Sequence, residues 1–269
     1  MGNAKVLFIS QEITPYLPET EISNISRYLP QGIQELGKEI RTFMPRFGKI
    51  NERRHQLHEV IRLSGMNLII NDADHPLIIK VASLQQARMQ VYFIDNEDYF
   101  HRKFVFNDEN EEFFKDNDER MIFFARGVLE TVKKLRWAPD VIHCHGWFTS
   151  LIPLYLKKAF QEDPLFQDSK IVYSLYDNDF NSKLDVKFSE KLHLDGVEKK
   201  DVEMLDNPDF FNISKMALNQ CDGIIIGTDN IDSKLYEYAK SLNKPLLEKQ
   251  PEETFVNEYS NFYDELLEK

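Results

Sequence analysis

The chain has 269 residues, 42% hydrophobic and 12% aromatic, which is enough apolar material for one large core and excludes a disordered chain. Its formal net charge of -12 argues against a surface built to neutralise nucleic-acid phosphates. Two cysteines, Cys144 and Cys221, are too few for a disulfide scaffold or a cysteine zinc site. No apolar run approaches the ~18 residues that span a bilayer. Met1-Gly2 leads straight into a strand without a cationic leader, and Val6 stands where a myristoylation signal needs Ser or Thr. A cytoplasmic protein with no nucleic-acid and no membrane partner is expected.

Lys5 to Ser10 is a continuous apolar run, predicting a parallel strand buried on both faces. A loop follows, fixed by Pro15 and Pro18. Ile22, Ile25, Leu29, Ile33 and Leu36 recur at helical spacing, and Gly37 closes that helix in the C′ position. Glu39 to Pro45 reads as the second strand of a β-α-β unit. No G-x-G-x-x-G and no P-loop is present, and Glu19 and Glu21 stand where a phosphate cradle would want Gly or Lys. No cofactor is expected. Between 57 and 95 the runs shorten to Glu59–Ser64, Met66–Ile70, Leu77–Ser83 and Gln90–Asp95, with Asn71 to Asp74 as a hairpin tip. This predicts an antiparallel excursion that returns to the main sheet at Val91–Ile94. The acidic stretch from Asn107 to Asn117 reads as a mobile loop.

Asp116 to Arg120 opens a helix to about Leu135, with acidic residues at its start and Lys133, Lys134 and Arg136 at its end, as the helix dipole favours. The corner Pro139-Asp140-Val141-Ile142-His143-Cys144-His145-Gly146-Trp147-Phe148-Thr149-Ser150 then joins a buried strand to a helix over Leu151–Lys158. In a parallel α/β sheet such corners carry sites. Lys170–Tyr176 is another buried strand, residues 182–209 are charged and irregular, Ile213–Gln220 is a helix and Asp222–Thr228 a further strand. Phe255, Tyr259, Phe262, Tyr263, Leu266 and Leu267 form an aromatic helical stripe suited to covering the sheet. Strands alternating with helices predict an α/β fold: a three-layer, Rossmann-like parallel sheet with a small antiparallel insert. Residues 1–269 form a single domain in this reading, with 245–269 as a C-terminal amphipathic helical tail.

His143 and His145, two apart on a strand, share one face, but no third ligand lies near them in sequence and no metal is expected. They suit hydrogen bonding in a cleft wall. Trp147 reads as core or cleft wall. Glu12 either reaches the pocket or caps a backbone amide. Glu19 and Glu21 form a loop pair whose ordinary state is solvated rather than acid–base.

These motifs resemble those of bacterial glycogen and starch synthases. Val6 to Tyr16 is similar to that family's first strand and S-E-x-x-P-[FY] turn. Leu29-Pro30, Leu36-Gly37-Lys38-Glu39-Ile40-Arg41 and Met44-Pro45-Arg46-Phe47-Gly48 follow its L-P, L-G-H-x-V-R and M-P-x-Y-G. Tyr92 to Asn96 and Asp116 to Arg120 fit as well, and the corner at Asp140 resembles D-V-[IV]-H-x-H-D-W-H-T-[AS]. The likeness runs from about residue 5 to about residue 228. It implies the N-terminal half of a GT-B glycosyltransferase that moves glucose from ADP-glucose to an α-1,4-glucan, so an α-glucan or ADP-glucose is the implied ligand. It also implies substrate-facing positions at Glu12, Tyr16, Glu19, Arg120, His143, His145, Trp147, Tyr176 and Asp177, with sugar contact open to the two histidines.

The departures lie at those positions. The family's K-T-G-G-L loop reads Pro18-Glu19-Thr20-Glu21-Ile22, its H-D-W-H reads His145-Gly146-Trp147-Phe148, and the histidine of its T-[IV]-H-N is Tyr176. The family's second domain, which supplies most of the nucleotide site, has no counterpart expected before Lys269. Departure of a diphosphate needs positive charge, and Arg120 and Lys215 are the nearest options by position. No catalytic residue is assigned. Two readings follow: a glycogen/starch-synthase-like domain impaired or inactive alone, which a partner chain supplying the second domain would complete, or a non-catalytic glucan-binding, regulatory or scaffold protein.

Overall fold

The computed structural model describes residues 3–192 and 196–268. Met1-Gly2, invoked above for a leader, and part of the irregular 182–209 segment lie outside them. Strands β1 (Lys5–Ser10), β2 (Glu39–Pro45) and the first helix α1 (Glu21–Glu35) form the opening β-α-β unit. Thr20 caps α1 through a reciprocal pairing with Ser23, and Gly37 sits just past its end at φ +93°. Short helix α2 (Glu52–His55) precedes β3 (His58–Glu59), β4 (Met66–Ile70), β5 (Ala73–Leu84) and β6 (Met89–Asp95). After α3 (Glu97–Phe100) come α4 (Asn117–Leu135), β7 (Val141–His145), α5 (Leu151–Lys158) and β8 (Lys170–Leu175). The remainder is α6 (Phe188–Lys191), α7 (Lys199–Val202), α8 (Phe210–Gln220), β9 (Gly223–Ile226), α9 (Ser233–Ser241), β10 (Leu246–Leu247) and α10 (Phe255–Leu267).

The ten strands among the described residues make one sheet in the order β10-β9-β8-β7-β1-β2-β6-β5-β3, with β4 paired to β5. From β10 to β6 all pairs are parallel, whereas β5, β3 and β4 add antiparallel partners. The α/β architecture with an antiparallel insert is therefore as the sequence predicts. Chain order runs outward from β1 in both directions, so a topological switch point lies between β1 and β7, and the crevice of such a sheet opens at its carboxyl ends. Register places Ser10 beside His145 and His145 beside Ser174 at that end.

Side-chain alternation divides the core. Leu7, Ile9, Ile142, Cys144, Ile171 and Tyr173 face the layer holding α4, α5 and α8. Val6, Phe8, Val141, Val172 and Ile225 face Leu29 and Ile33 of α1 and Tyr259, Phe262, Tyr263 and Leu266 of α10. The terminal aromatic stripe thus covers the sheet. Within α4, Gly127 lets the helix lie close on β6, where an added Cβ would meet the Ile94 side chain at 2.8 Å.

Three predictions are corrected. The strand over Glu59–Ser64 reduces to His58–Glu59, because the Val60 carbonyl accepts the Leu63 and Ser64 amides and turns the chain out of the ladder. Within 182–209, α6 and α7 are helical turns that bury Phe188 and Val202. Helix α9, unassigned from the sequence, is capped by Asp232 accepting from the Leu235 amide and buries Leu235 and Ala239. The 107–117 loop is closed on itself by the Phe114 amide donating to the Phe106 carbonyl and the Asp108 amide donating to the Glu112 carbonyl.

Candidate functional site

The corner after β7 forms because Gly146 adopts φ +85°, ψ 160°, releasing the strand into a helical turn at Trp147–Thr149. Gln11, just past β1, fills the space beside it. Its Oε1 accepts from the Phe148 amide and from Asn178 Nδ2, each at 3.3 Å. A Cβ at position 146 would lie 2.3 Å from that oxygen.

His143 and His145 point into the layer under α10, and both are fully buried. Their rings stand 3.9 Å apart. His143 Nδ1 pairs with the Tyr263 hydroxyl and Nε2 with the Ser174 hydroxyl, both at 2.7 Å. His145 Nδ1 pairs with the Tyr176 hydroxyl at 2.8 Å, while its Nε2 has no partner. Burial pushes both imidazoles well below their usual range, His145 to about 3, and the neighbouring ring adds to the effect at His143. Both are neutral at pH 7. These histidines, Ser174 and Tyr263 thus form a buried polar line beneath the corner, which Tyr176 separates from the crevice. Tyr176 is also held down by Gly227, whose missing side chain admits the ring.

The other sequence-predicted positions separate. Glu12 accepts from the Thr20 hydroxyl and so braces the cap of α1; burial, partly offset by that bond, raises its pKa. Tyr16 is packed edge-on against Phe93 and His55. Trp147 is buried against Phe106, Phe148 and Phe180. Arg120 is fully buried, donating from Nε to the Tyr99 carbonyl and from Nη1 to Asn117, inside a cage of Phe47, Phe100, Phe114 and Phe148. Burial, reinforced by the Arg102 charge and opposed by Asp116, lowers it to about 9. Lys215 of α8 lies over Phe211 of the same helix and Tyr238 of α9. Neither cation lines the two cavities that the other predicted positions border. Phe148 packs into the same aromatic mass through Phe47, Phe106 and Phe124.

Of these positions Glu19, Tyr176 and Asp177 line cavities, and they line two different ones. Glu19 borders one of about 790 Å³ between α1 and the segment around Lys249 to Tyr259, together with Glu21, Glu35 and Glu252. Lys249 Nζ bridges Glu21 at 2.7 Å and Asp229 at 2.8 Å there. Tyr176 and Asp177 border a crevice of about 830 Å³ at the carboxyl ends of β8 and β9. Its polar wall carries Asp177, Asp179, Asp209 and Asp232 against Lys183 and Lys234, with Asn181 and Asn230 between, and Phe210 and Phe211 give it aromatic sides. Asp209 and Asp232 each also cap a helix, accepting from the Asn212 and Leu235 amides. The sequence reading missed all of this wall beyond Asp177. The available signal was the Asp- and Asn-rich stretch directly after each of two buried parallel strands, 177–183 and 228–232. Among the described residues no group of three or more His, Cys, Asp or Glu is placed to hold a metal ion, and no helix is long and apolar enough to cross a membrane.

Comparison with known proteins fits this geometry. The chain is 39% identical over 191 residues to a glycogen synthase of Chlorobium limicola and 39% identical over 193 residues to one of Chlorobium luteolum. Each match covers 71% of this chain and 39% of the relative, so the chain spans well under half the length of these relatives. Among solved structures, the catalytic domain of starch synthase IV from Arabidopsis thaliana, bound to ADP and acarbose, superposes with a TM-score of 0.72 at 15% identity, over 93% of this chain and 51% of that one. That likeness concerns the fold. The family model for the starch synthase catalytic domain matches residues 5–230, from the first residue of β1 to the loop that follows β9. On that match, which takes in the corner, both buried histidines with Ser174 and Tyr176, and most of the crevice wall, this chain belongs to the starch synthase catalytic-domain family.

Proposed function

We propose that residues 1–269 act as one glycogen/starch-synthase-type domain that binds a neutral α-glucan in the crevice beyond β8 and β9, and that does not by itself transfer glucose from ADP-glucose. The observation that carries this reading is the charge of the open cavities. The crevice sets four carboxylates against two lysines, and the cavity beside α1 sets Glu19, Glu21, Glu35 and Glu252 against Lys249. A nucleoside diphosphate entering either would meet repulsion, and a leaving diphosphate would find no concentrated positive charge. Asp and Asn side chains beside Phe210 and Phe211 suit vicinal hydroxyls and the apolar face of a pyranose, as small-molecule sites combine apolar walls with a few polar anchors.

The lost cations support the same reading. Arg120 is enclosed by aromatic rings, and the position of the family's loop lysine is Pro18. The experiment is calorimetry with maltoheptaose and with ADP-glucose, alongside incorporation of labelled glucose into glycogen. Saturable maltoheptaose binding that weakens at least about tenfold in Asp177→Ala, with no incorporation above a protein-free control, is the expected result. Incorporation above control, or ADP-glucose binding tighter than glucan, would overturn it. A second reading keeps transfer and takes the missing cations from further polypeptide, either of the same protein or of a partner chain. It is favoured by the 39% of its relatives' length that the chain spans. Adding a separately expressed C-terminal domain of such a relative to the incorporation assay tests it.

A further inference from the structure

At the amino-terminal end of the sheet, away from the crevice, a pocket of about 410 Å³ opens between the start of β2, the end of β5 and the start of β6. No aspartate or glutamate lines it, although the chain carries 45 acidic residues against 33 basic ones. Two arginines do, Arg41 and Arg88, and among the described residues neither has a carboxylate within ion-pairing distance. In a protein of net charge -12, two unneutralised guanidinium groups at one cavity need an explanation.

Arg41 is already oriented. Its Nη1 donates to the Tyr92 hydroxyl at 2.7 Å, and its guanidinium carbon lies 5.2 Å from the Trp137 ring centre and 5.7 Å from that of Tyr92. Held between two rings, it gives up little side-chain freedom on meeting a ligand. Its Nε is buried without a partner, and so is the Oε1 of Gln34 on the facing wall. An orphaned buried donor and an orphaned buried acceptor are each costly, and native structures usually satisfy such groups. Arg88, at φ +51° on the turn before β6, is exposed and contributes the second charge from the rim beside Gln85 and Gln90.

We propose that this pocket is a binding site for a small hydroxylated oxyanion of the phosphomonoester class. Arg41 and Arg88 hold the anion, since the guanidinium fork matches phosphate oxygens, and the amides of Gln34 and Gln90 take up hydroxyl groups. The volume lies within the range of small-ligand sites. A packing role alone accounts for the stacking of Arg41, but not for Arg88, the absence of carboxylates or the unpartnered Nε and amide oxygen.

The test is calorimetry at fixed ionic strength with glycerol 3-phosphate, inorganic phosphate and glycerol. Saturable binding is expected for glycerol 3-phosphate, weaker binding for inorganic phosphate, and none for glycerol. Arg88→Glu, a surface change, is expected to weaken glycerol 3-phosphate binding by about tenfold or more. Arg41→Met is expected to do the same, and Arg53→Glu on α2 to leave it unchanged. Absence of saturable binding by the wild-type chain overturns the proposal. So does an Arg88→Glu affinity within about twofold of wild type. Because Arg88 lies outside the crevice, maltoheptaose binding by Arg88→Glu is a separate reading of the glucan proposal.

Discussion

Replacing Gly146 by alanine tests the corner most directly. The residue sits at φ +85°, ψ 160°, a region open in practice only to glycine, where another residue costs about 1–3 kcal/mol. The added Cβ would also fall 2.3 Å from Gln11 Oε1 and 2.5 Å from its Cδ. Gln11 is 3% exposed and cannot swing freely into water. If it yields, the buried Phe148 amide loses its acceptor, but at 3.3 Å that bond is long, so the loss falls near the low end of about 1–3 kcal/mol. The sum is a destabilisation of about 2–4 kcal/mol. Urea unfolding at 25 °C followed by circular dichroism measures it. Repeating the substitution in a Gln11→Ala background separates the two causes: the backbone share persists there and the steric share disappears. A Gly146→Ala cost below about 0.5 kcal/mol in the wild-type background would refute the reasoning. Gly146→Asp, which would return the acidic residue found at this place in the family's motif, carries the same backbone penalty.

Three further outcomes are expected. His145, neutral when folded and held down to about 3, binds a proton when unfolded near pH 6.5, so its contribution is intact above pH 6.5 and is lost as pH falls towards 3. It should account for about 2 kcal/mol of stability lost between pH 7.5 and pH 5, seen as a wild-type-minus-variant difference that falls by that amount against His145→Gln, whose own profile is flatter, and its ring resonances should not titrate over that range. Lys191, 8% exposed, pairs with Asp118 at 2.7 Å and with Glu119 and Asp185 at 3.0 Å. Burial outweighs that ammonium at Asp118 and holds its carboxyl up at about 6. Lys191→Met should cost about 3–5 kcal/mol at pH 8 by denaturant unfolding, with the deficit shrinking on acidification as Asp118 protonates; a pH-independent deficit would contradict the assignment. Phe148→Ala should lower stability by about 3–5 kcal/mol by the same measurement, as for other fully buried phenylalanines.

The local rules were legible in the sequence. The apolar run at Lys5–Ser10, the spacing from Ile22 to Leu36 and the aromatic stripe from Phe255 each encode a burial pattern within a few residues, and the structure has those elements. The shared face of His143 and His145 was legible too, because strand parity needs no tertiary information. What covers that face was not, since Tyr263 reaches it from the far end of the chain. Arg120 shows the same limit: its cage draws on Phe47, Phe100, Phe114 and Phe148, which no window of sequence brings together. Helix α9 went unassigned because its buried stripe is short, Leu235 and Ala239, and its remaining positions are polar or tyrosine. The crevice wall was readable in principle from Asp and Asn clusters after β8 and β9, but their convergence depends on the parallel order of those strands.

The flanks of the sheet carry a consequence for assembly. At one side it ends in the two residues of β10, which lies between Pro245 and Pro251, and at the other in the two of β3 and the five of β4, both carried by β5. A long exposed flank would offer a ladder of unpaired amides and carbonyls to any extended peptide or second copy. Two-residue borders offer at most a bond or two before the chain turns away, and proline offers no amide donor. The β10 and β3 borders are in this way protected from growing by strand addition, which leaves β4, paired among the described residues only with β5, as the longest flank that an added strand could meet.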